Sequence, residues 1–163
     1  MRIELRTEAA ADTRAVGQAL AELLEARDTV VLTGELGAGK TTLVQGVARG
    51  LEIEDPIVSP TFTLVREYRG RLNLSHVDVY RLDRIQDVVD LGLDELGDGD
   101  SVMFVEWGDA VEDVLPDDRL RVELTTEGPD QEARRMVLTP EGGTWRGRWP
   151  RLEQTLGPWR ALA

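Results

Sequence analysis

The 163-residue sequence has no cysteine, which excludes disulfides and any zinc or iron–sulfur centre held by thiolates. Long apolar runs are missing as well. No stretch approaches the roughly 18–20 apolar residues that span a bilayer, and residues 1–8 alternate apolar with polar side chains instead of forming the continuous apolar segment of a secretion signal. These absences point to a soluble, cytoplasmic protein without membrane contact. Positive charge is in deficit: nineteen basic residues face thirty-one acidic ones, for a net charge of −12. Such a surface repels a phosphate backbone unless its cations gather on one face, so a role with nucleic acid is expected to run through a partner. Lysine is almost absent. Eighteen of the nineteen basic residues are arginine, and the exception is Lys40.

The length suits a single domain, residues 1–163, able to bury about two-thirds of its unfolded surface. Residues 2–6 read as a strand. A helix is expected from about Thr13, with Asp12 as its N-cap and Val16, Leu20, Leu23 and Leu24 on one face. Residues 29–33 form a β-rich run ending at Gly34, and a helix over 40–49 follows, with Gly50 as its C-cap. Residues 63–68 and 71–79 read as strands joined at Arg69-Gly70, and 84–96 as mainly helical. Residues 101–105 are almost wholly apolar, as in a strand buried on both faces. Residues 119–125 and 135–139 read as closing strands and 142–148 as a terminal hairpin arm. The expected architecture is α/β: a central, mostly parallel sheet flanked by helices in three layers.

Lys40 lies in Gly34-Glu35-Leu36-Gly37-Ala38-Gly39-Lys40-Thr41, which satisfies G-x-x-x-x-G-K-[ST] at every fixed position, with Thr42 following. The glycines let successive backbone N–H groups converge on phosphate oxygens, and the helix beyond adds its positive end. Lys40 is expected to reach the β and γ phosphates, Thr41 to offer its hydroxyl to magnesium. A chance glycine turn is the competing reading; the strand before and helix after it argue for a P-loop. Such a site needs an acid near the end of a neighbouring strand. Glu106, after the apolar run 102–105, is the first candidate and Asp78 the second, each weighed against an ordinary solvated carboxylate.

Guanine is disfavoured as the base, because the N-K-x-D motif needs a lysine other than Lys40; Asp94-Glu95-Leu96-Gly97 fits the loose D-x-x-G pattern, which arises easily by chance. ATP is the better reading. A nucleotide or small-molecule kinase is the rival, with Arg66, Arg69, Arg71, Arg134 and Arg135 as candidate lid residues, although scattered arginines are more often solvated. A nucleotide-gated binding module with little turnover is a third.

Three further segments, in order along the chain, set these readings apart. Ser59-Pro60-Thr61-Phe62, His76-Val77-Asp78-Val79-Tyr80-Arg81 and Val105-Glu106-Trp107, together with the P-loop, resemble the TsaE (YjeE) family of tRNA threonylcarbamoyladenosine biosynthesis from about residue 5 to residue 124. The resemblance implies a P-loop fold and slow hydrolysis of ATP with magnesium, expressed in complex with a heterodimer of threonylcarbamoyltransferase subunits of the TsaB and TsaD type. Those partners carry the tRNA and modify its adenosine 37. Thr61, on a proline-stiffened loop, is then placed to sense the γ phosphate. His76 is assigned to support Asp78, and Tyr80 and Trp107 are core aromatics. Thr7 and Thr13 are implied near the base or ribose, with Arg134 as a further contact. Beyond about residue 139 the resemblance fades. There Trp145, Trp149 and Trp159 are expected to pack the tail onto the domain, its arginines solvated.

Overall fold

The computed structural model describes residues 1–59, 65–79, 90, 92–96, 99–106 and 112–162. Thr61, Tyr80, Trp107 and most of the expected helical stretch 84–96 lie outside the described residues. Among the described residues, seven strands form one sheet in the order β1-β7-β6-β2-β5-β4-β3. These are β1 (Ile3–Thr7), β2 (Thr29–Thr33), β3 (Val65–Tyr68), β4 (Asn73–Asp78), β5 (Ser101–Glu106), β6 (Arg119–Glu127) and β7 (Ala133–Glu141). The centre, β6-β2-β5-β4, is parallel. Antiparallel pairs close it, β3 on one side and β7 with β1 on the other.

Residues 30–32 of β2 and 102–105 of β5 are continuously apolar because both faces of the sheet are covered there. Val30, Leu32, Val102 and Phe104 pack into the larger core against α1 (Ala10–Ala21) and α2 (Lys40–Gly50). Val31, Met103, Val105 and Val77 point the other way, onto Leu93 and Leu115. No helix of the described residues is long and apolar enough to cross a membrane.

The two helices meet backbone to backbone. A Cβ added at Gly46 of α2 would sit 2.0 Å from the carbonyl oxygen of Arg14 in α1, so only glycine permits this crossing. Gly50, expected as a C-cap, is instead the last residue of α2, with Leu51 capping; its lack of a side chain admits Ala21 and Gln18 of α1. Asp12 is likewise not the N-cap of α1. The helix begins at Ala10 after Ala9, and Asp12, one turn in, accepts the N–H groups of Glu8 and Ala9, each at 3.2 Å.

The terminal hairpin arm is replaced by a helix, Thr144–Thr155. Its buried residues Trp145, Trp149 and Leu152, with Leu156 just beyond, recur at helical spacing, and Asp118 accepts the backbone N–H of Thr144 at 3.2 Å. The tryptophans do pack the tail onto the core, but one tail arginine is not solvated. Arg148 donates to Leu23 O at 2.6 Å and to both carboxylate oxygens of Asp28 at 2.7 and 2.6 Å, stacked 4.0 Å from the Trp145 ring centre.

Candidate functional site

In an open parallel sheet the carboxyl ends of the strands form the natural crevice, and β2, β4 and β5 direct their ends to one place. β2 runs into the glycine loop, which turns into α2 at Gly39, φ 103°. Gly34 has φ 147°, and a Cβ there would meet the carbonyl oxygen of Leu124 at 2.5 Å. The loop can therefore lie flat against β6 only as glycine. Ala38 N–H donates to Glu35 O at 3.0 Å, closing the turn, while Leu36 at its tip is 86% exposed.

Lys40, the first residue of α2, is buried. Its Nζ donates to Gly34 O at 2.6 Å and Glu35 O at 3.0 Å. Burial pushes the ammonium below its ordinary value, and the charges of Glu106 and Asp78 partly oppose that. Those two residues are register partners at the ends of β5 and β4, both buried. Neither is an ordinary solvated carboxylate. Thr41 Oγ1 donates to Glu106 Oε1 at 3.1 Å, so the P-loop threonine and the leading acid already touch.

His76 faces a different acid from the one expected. Its Nε2 lies 3.3 Å from Oε2 of Glu106, without the alignment of a hydrogen bond. A single sequence shows that His76 and Asp78 share a strand face; that β5 lies alongside in this register is tertiary information.

The residues expected near a base also gather. Register pairing of β1 with β7 sets Thr7 beside Arg134. Thr7 and Thr13 hydroxyls lie 2.9 Å apart, both buried. Thr13, Gly39, Thr42 and Arg134 line a small recess with Ala10 and Glu132, while Thr7 stands behind Thr13. Arg134 donates to Gly37 O at 3.3 Å, bracing the loop. Sequence reading missed Ala10 and Glu132, which carry no motif signal. Of the other candidate lid arginines, Arg71 donates to Ala21 O at 2.8 Å and Arg135 pairs with Glu4 at 2.6 Å, both away from the loop.

These residues fit a magnesium nucleotide. Gly34 lets the loop lie against β6, Lys40 offers the cation, and the Thr41 hydroxyl with the Glu106 and Asp78 carboxylates forms a hard-oxygen set. Magnesium typically takes one or two carboxylates and completes its shell with phosphates and water, and this set offers two carboxylates and a hydroxyl.

Comparison with known proteins agrees with the geometry. The family model for threonylcarbamoyl adenosine biosynthesis protein TsaE matches residues 7–136. A tRNA threonylcarbamoyladenosine biosynthesis protein TsaE from Bacillus subtilis is 39% identical over 144 residues, 88% of this chain and 89% of the relative. Its counterpart from Treponema pallidum is 46% identical over 115 residues, 71% and 85% of the two chains. Among solved structures, Bacillus subtilis YdiB superposes with a TM-score of 0.79 at 34% identity, covering 97% of this chain and 95% of that one.

Proposed function

The chain belongs to the TsaE family of tRNA threonylcarbamoyladenosine biosynthesis, and from that premise we propose that it is a magnesium-dependent ATPase. It serves the assembly that forms N6-threonylcarbamoyladenosine at position 37 of tRNA. The observation that carries the reading is the convergence of Lys40, Thr41 and Glu106 on one loop. Lys40 exchanges its bonds to Gly34 and Glu35 for the β and γ phosphates, and N–H groups of the loop and of the first turn of α2 hold their oxygens. Thr41, Glu106 and Asp78 hold magnesium, which when bound neutralises charge developing on the phosphates. Glu106 and Asp78 also orient the attacking water, Thr61 senses the γ phosphate, and Thr13, Thr42 and Arg134 border the nucleoside, with Thr7 fixing Thr13.

The protein works in the cytoplasm as one domain, and its partner is a heterodimer of the TsaB and TsaD type. The charge of −12 favours tRNA lying on those partners. Phosphate release from ATP is the test, measured with the chain alone, with small acceptors and with the heterodimer. Slow release that the heterodimer accelerates supports the proposal. Phosphate carried to an acceptor supports a kinase instead, and binding without release in every mixture a nucleotide-gated module.

A further inference from the structure

His76 is the sole histidine of the chain and is 0% exposed within β4. Neither ring nitrogen makes a hydrogen bond among the described residues. Each buried polar group left so costs about 1–3 kcal/mol, and an apolar side chain would suit a covered strand better. The ring is therefore expected to have a task.

Its surroundings indicate which. Alternation along β4 sets His76 on the face of Asp78, and Asp78 is the register partner of Glu106. Nε2 of His76 lies 3.3 Å from Oε2 of Glu106, and the other carboxylate oxygen, Oε1, accepts from Thr41 at 3.1 Å. One side chain approaches the carboxylate from the sheet and the other from the P-loop helix. Catalytic hydrogen bonds are often loose before ligand arrives and tighten in the complex, so a small turn of the ring would complete this one. Among the described residues Thr41 is the hydrogen-bond donor to the carboxylate, and once that hydroxyl turns elsewhere the acid loses what fixes its rotation. A donor behind it removes that freedom.

We infer that His76 is a positioning residue for Glu106, its Nε2–H directed at Oε2 so that Oε1 stays turned toward Thr41 and the P-loop. The inference rests on the reading of Glu106 as the acid of a magnesium–ATP site. Partners behind a metal-holding carboxylate typically contribute about 10–100-fold in metal affinity or activity.

The single imidazole permits an unambiguous test. NMR of its nitrogens in the intact chain is expected to show a proton on Nε2 and an Nε2 resonance that shifts in Glu106→Gln. A proton on Nδ1 alone, or an Nε2 signal indifferent to Glu106→Gln, overturns the inference. In kinetics, His76→Leu is expected to lower kcat about 10–100-fold and to raise the magnesium concentration for half-maximal rate, with ATP affinity little changed. His76→Gln, which keeps a donor near Nε2, is expected to recover most of both. Equal turnover in His76→Leu and the natural chain, or a Gln variant no better than Leu at equal thermal stability, also overturns it. Should His76→Leu fail to fold, the imidazole spectra still decide. Failure of the parent reading looks different: Glu106→Gln then turns over undiminished while the imidazole responds to it, and the positioning of a catalytic acid falls with that role.

Discussion

Two carboxylates show how neighbours decide what a residue contributes. Glu106 is buried but touches the Thr41 hydroxyl at 3.1 Å, so an amide of the same shape can fill its place. Glu106→Gln is expected to melt near the natural protein while ATP turnover falls by more than in His76→Leu; undiminished turnover would transfer the metal-side role to Asp78. Glu141 has a structural part. Burial tends to raise its carboxyl, yet hydrogen bonds and charge from Arg119 and Arg121 outweigh that and hold it below its ordinary 4.5. Folding thus gains stability from this group that is complete above pH 4.5 and is lost as pH falls through the lowered folded value. Glu141→Gln is expected to be less stable at neutral pH and to show a shallower loss on acidification. Denaturation midpoints across pH check this, and parallel profiles would contradict it.

Among the elements, the contact of α1 with α2 governs the recess beside the glycine loop, because α1 carries Thr13 and α2 grows from that loop. Gly46→Ala places a methyl group 2.0 Å from Arg14 O, and overpacking of this kind costs about 1–3 kcal/mol. Chemical denaturation is expected to show that loss; an unchanged midpoint would mean the helices separate freely. The C-terminal helix is fixed by Arg148. Removing it as Arg148→Ala strands buried Asp28 and is expected to cost about 3–5 kcal/mol by the same measurement, whereas a cost below about 1 kcal/mol would place the pair among surface ion pairs. Legibility in the sequence followed local pattern. The run 102–105 announced a doubly covered strand because adjacent residues serve opposite cores, and the P-loop announced itself because its glycines answer local backbone needs. Residues 142–148 misled because a short stretch cannot show its period; the helical spacing appears only when Leu152 and Leu156 are included. Asp12 misled for a related reason, since an acid at the third helical position reaches back to the N–H groups of Glu8 and Ala9, and a short polar residue before an apolar face reads the same whether it caps or backs the cap. The contacts of His76 with Glu106 and of Arg148 with Asp28 depend on register and tail docking, which no local window contains.

At the scale of the molecule, the sheet order converts sequence distance into proximity. Pairing of β1 with β7 brings Thr7 to Arg134, and the parallel centre aligns the ends of β2, β4 and β5, so that the loop, both acids and the recess open at one edge. The single lysine stands at their junction, in a chain whose net charge is −12. This makes Lys40→Ala the sharpest variant available, since no other lysine can substitute. The most direct measurement is a calorimetric titration of the natural chain and Lys40→Ala with ATP, with and without magnesium. Magnesium-dependent binding by the natural chain is expected, with affinity at least about tenfold weaker in the variant, a difference of about 1.4 kcal/mol or more. Equal affinity of the two proteins for magnesium–ATP would contradict this expectation.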